Sequence, residues 1–340
     1  MQTTQIAFQV EPFTPHPLLT NAHAQTLGAE YFRKLHAIPA FRRVRLDTPD
    51  GDFLDIDFAE VENHTWEMLG DDAPILYVLH GLEGDAKRGY ACALYQQAAV
   101  LGYRCVGINY RSCSGEMNRT ARFYHMGATG DVKFVLDWLL NTFSDVPVYM
   151  VGVSLGGNML LKYLGEEGAN VSERIKGAAA ISPPFVATGE QRISDDRLGR
   201  VYGGHLLKRL QTKVRLKAEM LRETKADPYK ALMAKTLREF DDAITAPLHG
   251  FADAHDYYAR SNSVNFLPDI QRPTLLIRAE DDPFFNPDIP YDIIRQNPYL
   301  VEGFTAHGGH VGFIEGINPL KIGNWAQRQT LRFFEMLRDS

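Results

Sequence analysis

Five short apolar runs, at residues 75–79, 105–108, 146–153, 178–181 and 274–277, recur along the chain with stretches of helix-like spacing such as 88–101 and 130–141 between them. Runs of that length, bounded by turn residues, suit strands buried on both faces. Their alternation with helices predicts an α/β fold with a mostly parallel sheet flanked by helices. Residues 41–60 behave differently: apolar and polar positions alternate around Asp50-Gly51, which predicts an antiparallel hairpin at the start of the sheet. A length of 340 residues with 45% hydrophobic content can bury a large core, and suggests one core domain with a sizeable insertion.

The third run leads into the feature that carries chemistry. Val148-Tyr-Met-Val-Gly152-Val-Ser154-Leu-Gly156-Gly157 is an apolar strand entering Gly-x-Ser-x-Gly, and the residues after it, 158–164, have helical spacing. Strand, sharp turn and helix are what a nucleophile elbow requires: the turn exposes the serine Oγ, and the flanking glycines leave room for the neighbouring backbone. A serine hydroxyl is a weak nucleophile at neutral pH, so it needs a base, and the base needs an acid to hold its tautomer. Residues 274–283 read as a strand ending in acids, which makes Asp281 or Asp282 the candidate acid. Thr305-Ala-His-Gly-Gly-His310 places a histidine in a glycine-rich loop after a further short strand at 301–304, and His310 is the candidate base. Serine, acid and histidine in that chain order match one of the known triad orders. Acyl transfer also needs backbone N–H donors for the developing oxyanion. The strand opening into His80-Gly-Leu82-Glu-Gly84 and the residue after the serine nominate the N–H groups of Leu82 and Leu155, with His80 bracing its loop.

Charge divides the chain unevenly. Residues 192–238 hold 13 Lys/Arg against 5 Asp/Glu, and the rest holds 23 against 37. The segment reads as a helical insertion, with a helix over 206–221, that returns to the sheet at Pro273-Thr274. Its basic face is either simply solvated or a lid meeting an anionic headgroup or membrane surface. The net charge of −6 disfavours nucleic acid as a partner. Cys92, Cys105 and Cys113 have neither disulfide-framework nor zinc spacing and read as free thiols. With no apolar leader near Met1 and no long apolar run, a cytoplasmic location is expected. The chemistry calls for no metal and no organic cofactor. Residues 111–116 read as a turn, and the segment containing His16, His23 and Gln25 reads as a surface arm over the core.

The chain resembles the α/β-hydrolase superfamily, and more closely the YheT-like hydrolases, a group similar to the eukaryotic α/β-hydrolase-domain lipases and the yeast medium-chain ethyl ester synthases. The residues that carry the resemblance run from Pro15-His-Pro-Leu-Leu-Thr-Asn-Ala-His23-Ala-Gln25-Thr26 through His80-Gly-Leu-Glu-Gly84 and Asn109-Tyr-Arg-Ser-Cys-Ser-Gly-Glu116. They continue through Gly152–Gly157 and Ala279-Glu-Asp-Asp-Pro283 to Gly308-Gly-His-Val-Gly-Phe313. The resemblance implies an α/β-hydrolase fold with a helical cap. Residues 1–40 would form an N-terminal arm, 41–184 and 268–340 the core, and 185–267 the cap. It also implies a Ser-His-Asp carboxylester hydrolase acting on a small-molecule ester, and the superfamily's Gly-x-x-Asp pattern, with Ala279 in the glycine place, selects Asp282. Acyl transfer to an alcohol on the same triad, and a non-catalytic membrane-surface module, are the alternatives.

Overall fold

The computed structural model describes residues 6–33, 38–188, 197–285, 288–317 and 322–339. Side chains that alternate along a strand must find a separate partner layer on each face of the sheet. In β3 (Ile75–Leu79), Ile75, Tyr77 and Leu79 pack with α3 (Thr129–Thr142) and α4 (Leu155–Glu167). Leu76 and Val78 pack on the other face, with α2 (Gly89–Val100) and the C-terminal helix Trp325–Arg338. Every residue of β3 is buried, which is why the run shows no polar alternation.

The sheet has eight strands in the order β1-β2-β4-β3-β5-β6-β7-β8. β1 (Ala40–Asp47) and β2 (Phe53–Glu60) form the expected antiparallel hairpin, and β2 also runs antiparallel to β4 (Arg104–Asn109). All later neighbours are parallel: β5 (Val148–Val153), β6 (Ile175–Ile181), β7 (Thr274–Ala279) and β8 (Leu300–Thr305). A mostly parallel sheet clad on both faces brings the carboxyl ends of β3, β5, β7 and β8 to one edge, where α/β sheets bind ligands.

Between β6 and β7 the described residues form α5 (Arg197–Leu216) and a series of shorter helices, among them Pro228–Met233 and Ala254–Ser261. Leu207, Leu210 and Val214 of α5 gather Leu221, Ala231, Phe240 and Ile244 into a small apolar cluster that closes on Phe123. Residues 189–196, including the start of the basic segment at Arg192, lie outside the described residues. α5 begins before the expected 206 and ends at Leu216, with a separate short helix over Ala218–Leu221; its early part carries Tyr202, which stacks on Phe284 after β7, a contact local spacing does not encode. The basic face is not uniformly solvated either: Lys213 and Lys217 are buried.

The N-terminal segment contains a helix that packs against the core. α1 (Ala22–Arg33) follows Asn21, whose Oδ1 accepts from the Ala24 N–H at 2.9 Å and so caps the first turn. Gln25 of α1 is buried and bonds both N–H and C=O of Ile314, at 2.8 and 3.0 Å, as an adjacent strand would. Residues 111–116 do form a turn, with Arg111 buried inside it against Asp131 at 2.8 Å and Asp52 at 2.9 Å. The three cysteines are free, and no described helix is long and apolar enough to cross a membrane.

Candidate active site

Ser154 stands between the end of β5 and the first residue of α4 with φ 54 and ψ −121, a conformation unfavourable for any residue with a Cβ. The flanking glycines explain how the turn closes. A Cβ on Gly152 would lie 2.4 Å from the Gly156 oxygen, and one on Gly156 would lie 2.4 Å from the Leu79 oxygen and 2.6 Å from that of His80. The strained turn thus lifts Ser154 out of the sheet while α4 docks against the end of β3.

His310, in the loop after β8, reaches Ser154 Oγ through Nε2 at 2.9 Å. Its Nδ1 lies 2.8 Å from Asp282 Oδ2, and the other carboxylate oxygen of the buried Asp282 accepts from the Phe284 N–H at 2.8 Å. Asp281 goes elsewhere: Oδ1 accepts from the Gly309 N–H at 2.9 Å and Oδ2 lies 3.3 Å from the exposed His307. Two Asp-His pairs therefore leave the ends of β7 and β8 side by side, and only Asp282 with His310 faces the serine. Phe284 stacks on the His310 ring at 4.2 Å, and Tyr202 of α5 stacks on Phe284 at 5.4 Å.

The N-terminal helix supports this loop from behind. Thr26 Oγ accepts from the His310 N–H at 2.9 Å, and a Cβ on Gly309 would strike the Ala22 oxygen at 2.4 Å. Composition and periodicity did not mark Thr26 as a site residue, because its partner lies at the opposite end of the chain. Asn158, one turn into α4, has the same character: it donates to Met126 O and Ser261 O and accepts from the Ser263 N–H, which ties the chain returning towards β7 to the elbow.

His80 is buried beside the site. The Tyr110 N–H donates to its Nε2 at 3.2 Å, so the proton resides on Nδ1, which donates to Gly81 O at 2.7 Å. Burial lowers its pKa to about 3, with the nearby cations of Lys213, Arg88 and Arg209 acting in the same direction. A neutral imidazole with both nitrogens engaged braces the loop and has no free base. The loop approaches the serine closely, since a Cβ on Gly81 would sit 3.1 Å from Ser154 Cβ. Leu82 and Leu155 line the same cavity as Ser154 and His310, and Leu155 opens α4, where backbone N–H groups lack intrahelical acceptors.

That cavity measures about 740 Å³, within the ~300–1,000 Å³ that holds a small organic ligand. Its wall is largely apolar, with Leu27 of α1, Met126, Phe240 and Leu206 among the lining residues. Among the described residues no group of three His, Cys, Asp or Glu is placed to hold a metal ion. A serine, an imidazole in hydrogen-bond contact with it and an aligned carboxylate opening on an apolar cavity have the chemical means for nucleophilic attack on a carbonyl.

Comparison with known proteins points the same way. The profile of the alpha/beta hydrolase fold family matches residues 74–317. The chain is 37% identical over 305 residues to YheT of Escherichia coli K12, which carries an esterase designation, covering 89% of this chain and 87% of that one. It is 31% identical to the mouse phospholipase ABHD3, over 82% of this chain and 68% of the relative. Among solved structures, the Pyrococcus furiosus esterase PF2001 superposes with a TM-score of 0.54 at 15% identity, over 88% of this chain and 91% of that one, a likeness of fold alone.

Proposed function

The chain belongs to the α/β-hydrolase family, and from that premise we propose that it is a serine carboxylesterase acting on esters of short- to medium-chain acyl groups. The observation that carries the reading is the unbroken hydrogen-bond chain from Ser154 Oγ through His310 to Asp282, opening on an apolar cavity. Ser154 Oγ attacks the ester carbonyl while His310 Nε2 takes its proton, and Asp282 holds the imidazolium that forms. The N–H groups of Leu82 and Leu155 receive the oxyanion. Collapse of the tetrahedral intermediate releases the alcohol with the proton from His310, and water attacks the acyl-enzyme by the same route in reverse.

Hydrolysis of p-nitrophenyl esters from acetate to palmitate tests the reading. Ser154→Ala should lose at least about 10⁴-fold in kcat while keeping the circular dichroism spectrum of the parent. Retained turnover in that variant would refute it. Acyl transfer to an alcohol uses the same residues, and ester formation in the presence of added ethanol distinguishes it from hydrolysis.

Around the basic segment, Leu216, Met220, Tyr229 and Met233 are exposed. Exposed apolar side chains among basic ones favour peripheral contact with an anionic lipid surface as an additional property. Salt-sensitive sedimentation with anionic vesicles is its test.

A further inference from the structure

Glu83 follows the proposed oxyanion donor Leu82 and is held through its N–H, its carbonyl and its carboxylate. It is buried with φ 54, in the left-handed region that a glutamate occupies only when its surroundings hold it there. Its N–H donates to the Tyr124 hydroxyl at 2.7 Å, and that hydroxyl in turn donates to Glu83 Oε1 at 3.0 Å. Its carbonyl accepts from Arg88 Nη2 at 2.7 Å. On the other side of Leu82, the Gly81 N–H donates to the Tyr90 hydroxyl at 2.9 Å. The peptide that presents the Leu82 N–H is therefore clamped at both ends, and the clamp at the Glu83 end depends on where its carboxylate is held.

A buried carboxylate needs a cation. The ones supplied here come from α5, outside the sheet and its flanking helices. Lys213 Nζ donates to Glu83 Oε1 at 2.6 Å, wedged between that oxygen and Cys113 Sγ at 3.2 Å, and Arg209, one turn earlier, brings Nε to 3.5 Å from Oε2. Just past the end of α5, the buried Lys217 donates to the carbonyls of Thr120 and Arg122, both at 2.8 Å, and so ties the end of that helix down. The face of α5 that approaches Glu83 also lines the cavity, through Tyr202, His205, Leu206 and Arg209. The helix that touches the contents of the cavity thus also supplies the counter-charge that sets the loop.

We propose that Glu83 is a positioning residue for the oxyanion site and that Lys213 of α5 completes it, so that the donor N–H of Leu82 is correctly aimed only while α5 is seated over the cavity. The proposal rests on the serine-esterase reading above. If α5 lifts, both nearby cations leave together, and the buried carboxylate that has lost them must move towards water. That movement releases the Glu83 end of the clamp. Attack by the serine is then unsupported until the cavity is closed.

The test uses the full chain with p-nitrophenyl butyrate and four variants: Lys213→Met, Lys213→Arg, Glu83→Gln, and Glu83→Gln combined with Lys213→Met. Lys213→Met and Glu83→Gln should each lower kcat by about 10–100-fold, less than complete loss of an oxyanion donor, with KM within about threefold. Lys213→Arg should restore most of kcat. The double variant should fall no further than the worse single one, as expected when two residues act as a unit. The rate at which a fluorophosphonate modifies Ser154, followed by intact mass, should drop in parallel because its phosphoryl oxygen occupies the same site. If Lys213→Met fails to fold, Glu83→Gln and Lys213→Arg carry the comparison. Unchanged kcat and labelling in Glu83→Gln, or a loss confined to KM, would overturn the positioning role while leaving the esterase reading intact. Absence of labelling at Ser154 in the parent protein, or full activity in Ser154→Ala, would instead overturn the esterase reading and this inference with it.

Discussion

Replacing each of the adjacent acids at the end of β7 by its amide separates their roles, and the structure sets the size of each effect. In Asp282→Asn the side-chain oxygen must continue to accept from the Phe284 N–H, which lies 2.8 Å from Oδ1. The amide nitrogen is then turned towards His310 Nδ1, where the carboxylate oxygen stood at 2.8 Å. Two donors cannot face each other, so the ring adopts the other tautomer, with its proton on Nε2. That nitrogen lies 2.9 Å from Ser154 Oγ and can no longer accept its proton. The expected loss is about 10³–10⁴-fold in kcat, or roughly 4–5.5 kcal/mol of transition-state stabilisation. In Asp281→Asn the oxygen keeps the Gly309 N–H, and only the long contact with His307 changes, between side chains 21% and 61% exposed. Ion pairs of that kind are worth about 0–1 kcal/mol, so activity should stay within about threefold. Measurement of kcat and KM on p-nitrophenyl butyrate, with a thermal melt of each variant, decides the matter. A loss of equal size in both variants, or the larger loss in Asp281→Asn, would refute the assignment.

Two further outcomes follow from the packing and the buried charges. Gly156→Ala places a methyl group 2.4 Å from one backbone oxygen and 2.6 Å from another, neither of which can rotate away; a loss of several kcal/mol in urea unfolding together with loss of esterase activity is expected, whereas a stable and active variant would contradict the elbow geometry. Burial raises the Asp241 carboxyl from 3.8 to about 6, against the opposing hydrogen bonds from Thr245 and Tyr258. A raised pKa means that the folded state holds the proton more tightly, so the contribution to stability is full below pH 3.8 and is lost as pH rises through about 6. Asp241→Asn, which cannot ionise, should therefore gain in melting temperature relative to the parent between pH 5 and 7, and a constant difference across that range would count against the shift.

What was legible in the sequence was whatever the chain encodes locally. Each apolar run was long enough for a strand and too uniform for a half-exposed one, and β3 to β8 follow those runs closely. Gly152, Ser154 and Gly156 announce their turn because only residues without side chains fit where backbone meets backbone. The chain order of serine, acid and histidine was readable in the same way, since each follows its own strand. The choice between Asp281 and Asp282 was not readable from spacing, because the two are neighbours and the turn after β7 alone decides which one faces His310. The N-terminal helix escaped periodicity because its buried residues, Gln25, Ala29 and Arg33, include two polar side chains whose partners lie near the other end of the chain.

The basic segment marks the boundary most sharply. Composition made it conspicuous, yet composition treats Lys213 and Lys217 like any other lysine. Only the seating of α5 and of the turn after it turns those two inward, one to Glu83 and one to the carbonyls of Thr120 and Arg122. Strands, turns and their order depend on neighbours along the chain, and so the sequence by itself determined them. The direction in which a charged helix face points depends on what lies opposite it, and that only the tertiary structure decided.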